Sequence, residues 1–312
     1  IRDDLVTGVQ TCALPISYTL LPTPYSLLPT PYSLLPTPYS LLPLPFYQKS
    51  MKRTLRIIKT FLSVYYAHMM EYRAEIFFWV LSNLLPLILM GIWIKASQEA
   101  EFGLNSTEFT RYFISVFFIR QFNLVWVIFD FQKEVLQGKL SPRLLQPIDP
   151  VWHHIAGHIA ERFIRMPFNL GLIGLFFLLY PEAVWVPNFG NLLLGCLVVA
   201  MSFGLRFLMQ YTFAMFAFWT ERASAMEELS FLLYLFLSGL IAPLEVFPPL
   251  VREIAQWTPF PYMIHFPAAL LIGLPVNAVW GILVILGWSL IFFLVNRWLW
   301  RKGLKHYSGM GA

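Results

Sequence analysis

Two arginines, Arg120 and Arg206, each lie near the middle of a long apolar stretch. An arginine at the centre of a membrane span costs about 2.5–3.5 kcal/mol on insertion scales, so its guanidinium must face protein or a water-filled path. Gln121 and Gln210 add amide groups to the same two stretches. The four side chains predict either a polar path for an anionic or amphiphilic substrate, or a buried polar contact within a helix bundle or with a partner subunit.

A second group of residues has the spacing of a metal site. His154 and His158 are four residues apart and Glu161 follows one turn later, so one helix face presents all three. No further ligand is evident, and the histidines are also explained as structural or solvated residues. The sequence contains no phosphate-binding GxxxxGK[ST] loop, no HExxH and no GxSxG. We therefore predict no catalytic, cofactor or metal site in this chain, and no enzymatic activity of its own.

The composition is that of a membrane protein. Hydrophobic residues make up 58% of the chain, charged residues only 12%, and the mean hydropathy is +0.63. Soluble domains carry about 25% charged residues. The net charge of +5 does not indicate nucleic-acid binding, because lysine and arginine cluster at the ends of apolar stretches. The two cysteines, Cys12 and Cys196, provide neither a disulfide framework nor a cysteine metal site.

Residues 1–50 differ from the rest of the chain. The heptad TPYSLLP repeats from Thr23 to Pro43, and a seven-base DNA unit, ACTCCCT, read through its three phases encodes it. Upstream, VTGVQTCALPIS (Val6–Ser17) resembles translated sequencing-adapter DNA. We interpret residues 1–50 as a mistranslated, disordered arm and 51–312 as the functional domain, which begins at Met51. The alternative is a genuine proline-rich linker.

Six apolar stretches have lengths suited to membrane-spanning helices. They are Ile76–Ile94, Tyr112–Phe131, Phe163–Tyr180, Asn191–Trp219, Leu229–Phe247 and Val276–Trp300. Pro86 is expected to kink the first. Lysine and arginine are concentrated before the first span, between the second and third, and after the sixth, which places both termini in the cytoplasm. The predicted fold is an all-α, six-span protein of the plasma (inner) membrane.

Two elements outside the spans are also predicted. Lys52–Arg73 carries Leu55, Ile58, Leu62 and Tyr65 on one face, as expected of an amphipathic helix in the cytoplasmic membrane interface. The segment after span five is broken by prolines and too short to cross twice. We expect it to form a pair of partly inserted helices, a broken hairpin on the outer face between spans five and six.

The loop between spans two and three is the most informative cytoplasmic segment. A helix continues out of span two and ends at Gly138, and prolines then mark a compact turn. Apolar residues outside the membrane indicate a docking surface, unless they pack against the interface helix. The candidate docking residues are Glu134, Gly138, Leu140, Pro142, Arg143, Leu144, Leu145 and Pro147.

Three segments resemble the ABC-2 type transporter permeases, in particular the bacterial permeases of about 260 residues. They are EVLQGKLSPRLLQPIDP (134–150), LSGLIAPLEVFPPLVREIAQWTPFPYMIHFPAALLIG (237–273) and the ending RKGLKHYSGMGA. The resemblance covers Met51–Ala312 and implies the membrane subunit of an exporter. It also implies two kinds of partner: a separate ATP-binding subunit, which holds the ATP, and a second permease forming a homo- or heterodimer. The loop at Glu134–Pro150 then corresponds to the coupling helix that docks into the ATPase.

Two other classes of function are compatible with the same residues. One is a non-transporting membrane scaffold whose cytoplasmic loop docks another protein. The other is an intramembrane enzyme that uses His154, His158 or Arg120. An adjacent ATPase gene and a second permease gene would favour transport over both. The sequence does not identify the cargo.

Overall fold

The computed structural model describes residues 46–99 and 103–307. Within these ranges the chain forms twelve α-helices, four short 3-10 turns and no strand. The helices are α1 (Phe46–Glu71), α2 (Arg73–Ser82), α3 (Leu85–Glu99), α4 (Ser106–Phe122), α5 (Val127–Leu136), α6 (Leu140–Leu144), α7 (Val151–Leu179), α8 (Phe189–Ala214), α9 (Ala225–Leu237), α10 (Pro249–Gln256), α11 (His265–Ile272) and α12 (Ala278–His306). The all-α prediction is confirmed.

Five helical segments within the described ranges are long and apolar enough to cross a membrane. They are Arg73–Glu99, Ser106–Leu136, Val151–Leu179, Phe189–Phe218 and Ala278–His306. A helix needs about 20 apolar residues to cross the hydrocarbon core, because each residue adds 1.5 Å. The chain is therefore a multi-pass membrane protein, as its composition predicts.

The predicted fifth span, Leu229–Phe247, does not form one long helix. The helix in this region, α9, has 13 residues and ends at Leu237. Gly239 follows with a φ of +87°, a left-handed conformation that ends a helix easily only at glycine. A helix of this length is too short to cross alone, so the six-span count remains a prediction.

Two of the predicted spans are interrupted. The first is divided into α2 and α3 at Asn83 and Leu84, immediately before the expected kink at Pro86. The second is divided into α4 and α5 by the non-helical residues 123–126. The predicted hairpin segment contains two separate helices, α10 and α11, on either side of a proline-rich stretch.

The predicted interface helix corresponds to α1, which extends from Phe46 to Glu71. Phe61, Leu62 and Tyr65 are partly covered by the protein, whereas Leu55 and Ile58 are exposed. This distribution leaves an apolar surface on α1, and its position in the membrane interface remains a prediction. Of the predicted arm, residues 1–45 lie outside the described part of the chain.

Two apolar clusters form the core. The first joins α4, α8 and α11 through the buried residues Phe109, Val198 and Phe266, one from each helix. The second lies around α5, the end of α8 and α12, where Phe131 contacts the rings of Tyr211 and Phe218. The helix α8 contributes to both clusters, so it connects the two halves of the molecule.

The outward surface of the spans is apolar. On α12, the exposed leucines Leu283, Leu286 and Leu290 recur at three- and four-residue steps on one face. A stripe of this kind is unfavourable in water but suits lipid tails. The opposite face of α12 packs closely against α8, which fixes which side of the helix meets the bilayer.

Close packing of α12 allows a matched pair of substitutions. A Cβ added at Gly303 would clash with the ring of the buried Phe218, whereas a Cβ added at Gly287 on the same helix would have no neighbouring heavy atom within 4 Å. We expect Gly303→Ala to lower the free energy of unfolding by about 1–3 kcal/mol, as overpacking does. Gly287→Ala should leave it unchanged or raise it, because alanine favours helix. Unfolding curves in detergent would measure both, and equal effects of the two changes would contradict this packing.

Candidate functional site

The loop between α5 and α7 is a compact turn with one short helix. The helix α5 ends at Leu136, and Gly138 follows with a φ of +68°, the left-handed conformation that commonly closes a helix. The predicted helix end at Gly138 is therefore present. The five-residue helix α6 then runs from Leu140 to Leu144, and α7 begins at Val151.

Glu134 holds the inner side of this loop. Its carboxylate forms an ion pair with the Arg143 guanidinium at 2.8 Å and lies 3.4 Å from the His154 imidazole. Leu140 is fully buried beneath the turn. Because α5, α6 and α7 each contribute one of these polar groups, the loop is fastened to the helices on both sides. Glu134, Leu140 and Arg143 thus position the loop and are not free to form the docking surface itself.

Further contacts fasten the loop to both ends of the domain. The Tyr65 hydroxyl of α1 donates to His153 Nδ1 at 3.0 Å, and His153 Nε2 donates to the Gln146 side chain at 2.9 Å. Burial raises the pKa of Tyr65, which keeps its hydroxyl protonated as a donor. On the other side, Arg297 of α12 pairs with Asp149 at 3.0 Å. The loop is a rigid projection connected to α1, α7 and α12.

The outer side of the loop is apolar and exposed. Leu145 is 89% exposed, and Leu144, Pro142 and Pro147 are also exposed. A leucine this exposed gains nothing from the fold, and four apolar residues on one turn form a patch outside the candidate spans. The eight predicted docking residues therefore separate into an inner group that shapes the loop and an outer group that is available for contact.

A polar cluster is buried between α8 and α9. Arg206 donates to Glu227 at 2.7 Å, and its guanidinium lies 4.2 Å from the centre of the Tyr234 ring. Ser230 also donates to the Glu227 carboxylate at 2.8 Å, and the Gln210 side chain lies beside it. The buried charge of Arg206 is thus paired with a carboxylate, as a buried charge must be, while its Nε and Nη1 have no hydrogen-bond partner among the described residues. The cluster also fastens α9, which has few other contacts with the domain.

The structure brings three of the four predicted intramembrane residues together. Arg206 and Gln210 contact Glu227, and Arg120 lies near enough to Arg206 and Tyr234 to interact with them electrostatically. Gln121 is buried on α4, and among the described residues neither of its side-chain polar atoms has a hydrogen-bond partner. Two guanidinium groups therefore lie near each other, and the Glu227 carboxylate pairs with Arg206.

Glu227 is the residue of this cluster that sequence reasoning did not connect with Arg206. The acids of the segment ERASAMEELSF were expected to favour the positive N-terminal end of a helix, and Glu227 and Glu228 do lie in the first turn of α9. Glu227 additionally turns towards α8, whereas Glu228 is exposed. A buried arginine predicts a buried acid, but sequence alone does not say which one.

The histidines of α7 have structural roles. His158 Nδ1 donates to the His154 carbonyl at 2.8 Å, and its Nε2 accepts the Trp126 backbone N–H at 3.0 Å. Both ring nitrogens are thus occupied, and His158 has none left for a metal. Over the part of the chain that the structure describes, no group of three or more possible metal ligands occurs.

Comparison with known proteins identifies the family. A family model described as ABC-2 family transporter protein matches residues 87–311, more than half of the chain. A comparison with curated proteins gave no match. The matched region contains the loop, the buried polar cluster and the hairpin segment. The chain therefore belongs to the ABC-2 family of transporter proteins.

Proposed function

We propose that this chain is the membrane-spanning permease subunit of an ATP-binding cassette exporter, driven by a separate ATP-binding subunit. The observation that carries the proposal is the rigid, exposed apolar turn formed by Pro142, Leu144, Leu145 and Pro147. The inner side of the turn is fixed by a short ion pair between α5 and α6, so force applied to its tip reaches the spans. ATP binds to the partner, and this chain holds no cofactor itself.

The topology of the proposal follows from the same turn. The permease crosses the plasma (inner) membrane six times, with α9 and the residues after it as the fifth crossing. Both termini and the Pro142–Pro147 turn face the cytoplasm, and α1 lies in the cytoplasmic interface. A second permease subunit, identical or different, completes the transporter. Irregular backbone after α9 is compatible with a crossing because Ser238, Leu240 and Ala242 are buried in protein.

Arg120 and Gln121 are the residues that we propose to face a polar path through the membrane. Arg206 and Gln210 are engaged with Glu227, which favours a structural role for that pair. Within the described ranges, Arg120 Nη1 and both polar atoms of Gln121 are buried without a hydrogen-bond partner. Arg206 Nε and Nη1 and Gln210 Oε1 also lack one, but those two residues lie beside the Glu227 carboxylate, and Arg120 and Gln121 form no ion pair or hydrogen bond with a carboxylate in the described residues. A buried donor without a partner is costly, which supports a role that is completed only when cargo passes.

The experiment combines co-purification of the complex with cysteine labelling that shows on which side of the membrane a residue lies. The chain is co-expressed with candidate ABC ATP-binding subunits from the same genome, and single cysteines at Gln146 and Leu250 are labelled with a membrane-impermeant maleimide in a Cys12→Ser, Cys196→Ser background. We expect a stable complex, labelling at position 146 only from the cytoplasmic side, and labelling at position 250 only from outside. Cytoplasmic labelling without any bound ATPase would instead favour a scaffold, and outside labelling at position 146 would contradict the proposal.

A further inference from the structure

The break in the second membrane segment is held together by side chains from another helix. The chain leaves the helical conformation at Asn123 and resumes it at Val127, inside one candidate span. In lipid, backbone groups freed by such a break must find partners within the protein. No proline or glycine lies in the break, so the sequence around it does not explain why the helix stops here.

Two side chains of α7 provide the partners. Arg162 donates from Nε to the Phe122 carbonyl at 2.7 Å and from Nη2 to the Leu124 carbonyl at 2.9 Å. Its third nitrogen, Nη1, donates to the carbonyl of His158. His158 in turn accepts the Trp126 N–H. These bonds satisfy the last carbonyl of α4, one carbonyl within the break and the amide that precedes α5.

We call the side chains of Arg162 and His158, together with the backbone of residues 122–126 that they bind, the joint. Both ends of the exposed turn lead to it. The helix α5 runs from the joint to the turn, and α7 runs back from the turn to His158 and Arg162. Eleven residues of α7 separate Val151 from Arg162, about 16 Å along a helix axis. The turn, α5 and the first part of α7 therefore form a closed frame. The turn closes the frame at one end, and the Arg162–His158 joint closes it at the other.

The joint is also connected to the hairpin segment. Asn123, the first residue of the break, donates its side-chain N–H to the Met263 carbonyl. Met263 is fully buried and lies beside α11, which packs on α4 and α8. In addition, the Arg162 guanidinium lies 3.7 Å from the centre of the Phe203 ring on α8, which holds it in place. Movement of the frame thus reaches α4, α8 and the hairpin through this joint.

We propose that Arg162 and His158 are positioning residues that transmit movement of the exposed turn across the break in the second span to the hairpin segment. The inference rests on the proposed function, because an ATPase must supply the movement. Arginine suits the role because its planar guanidinium donates to several carbonyls at once in fixed directions, which a lysine ammonium does not. Loss of Arg162 leaves the turn and its docking surface intact but disconnects them from the hairpin.

The test is hydrogen exchange measured by mass spectrometry on the complete complex with its ATP-binding subunit. Exchange is compared without nucleotide and after trapping with ATP and vanadate. In the wild type we expect trapping to change hydrogen exchange in two segments. The first, 134–147, contains the exposed turn, and the second, 244–272, is the hairpin segment. In Arg162→Gln the change in the turn should persist and the change in the hairpin should be lost.

Three further samples make the result decisive. Arg162→Lys retains the charge and is expected to fold, with a hairpin response between those of the wild type and Arg162→Gln. Arg222→Gln, an exposed arginine outside the joint, should respond as the wild type does. A full hairpin response in Arg162→Gln and Arg162→Lys would overturn the inference, as would a wild-type turn that responds while the hairpin does not. If the wild-type turn itself fails to respond to nucleotide, the proposed function is wrong.

Discussion

Replacing Leu144 and Leu145 together by aspartate is expected to weaken binding of the ATP-binding subunit by about 100-fold. Burying one leucine contributes about 1.5–3 kcal/mol and each 1.4 kcal/mol is tenfold in affinity, so losing part of both contributions accounts for the factor. Leu145 is almost fully exposed and Leu144 partly so, which means that the change removes little from the fold itself. Affinity would be measured by titrating the ATP-binding subunit against the permease in nanodiscs.

The matched control for this change uses an exposed leucine pair elsewhere on the chain. Leu286 and Leu290 of α12 are also exposed but lie on the lipid-facing stripe. Conversion of that pair to alanine, which lipid tolerates, should leave binding of the ATP-binding subunit unchanged. Equal affinities of the wild type and the Leu144→Asp, Leu145→Asp variant would remove the Pro142–Pro147 turn from the interface.

Glu227→Gln is expected to lower the free energy of unfolding by about 3–5 kcal/mol, because it leaves the buried Arg206 guanidinium without its counter-charge. The carboxylate accepts bonds from Arg206 and Ser230, and an amide of the same shape cannot neutralise the arginine. The combined change Arg206→Met, Glu227→Leu should recover most of the loss, since well-packed apolar residues often replace a buried ion pair at little cost. Detergent-induced unfolding would give the three values.

Glu228 provides the control for this second prediction. It is the next residue along α9 but is exposed. Surface substitutions usually change stability by about 0.5 kcal/mol or less, so Glu228→Gln should resemble the wild type. If Glu227→Gln and Glu228→Gln are equally stable, the Arg206–Glu227 pair does not hold α9 in place.

The features that depend on local sequence were predictable. Gly138 ends a helix because glycine adopts the left-handed conformation without strain. Because it follows a run of helix-forming residues, the helix end could be predicted from the sequence. The exposed leucines of the turn were likewise evident, because they follow charged residues and stand among prolines. Long apolar runs identify spans because the thickness of the bilayer fixes their length.

The features that depend on distant contacts were not predictable. The break at residues 123–126 depends on Arg162 and His158, which are 40 and 32 residues from the backbone groups they bind, and the residues of the break give no sign of it. The end of α9 at Leu237 was not predicted because apolar residues resume at Leu240 after only Ser238 and Gly239, so that the run appears continuous in hydropathy. Gly239 is the one residue near this end that favours a helix stop. The contact that holds its backbone is distant in sequence, because the Tyr112 hydroxyl donates to the Gly239 carbonyl at 2.8 Å.

The most direct test of a permease driven by a separate ATPase is to measure ATP hydrolysis in proteoliposomes. The purified chain is measured alone and together with its ATP-binding subunit. The chain alone should show no hydrolysis, and the complex should hydrolyse ATP at a rate that the Leu144→Asp, Leu145→Asp change reduces to that of the free ATP-binding subunit. Hydrolysis by the chain alone, or an ATP-binding subunit whose rate and binding are indifferent to this permease, would contradict the claim that the chain is a membrane subunit driven by a separate ATPase.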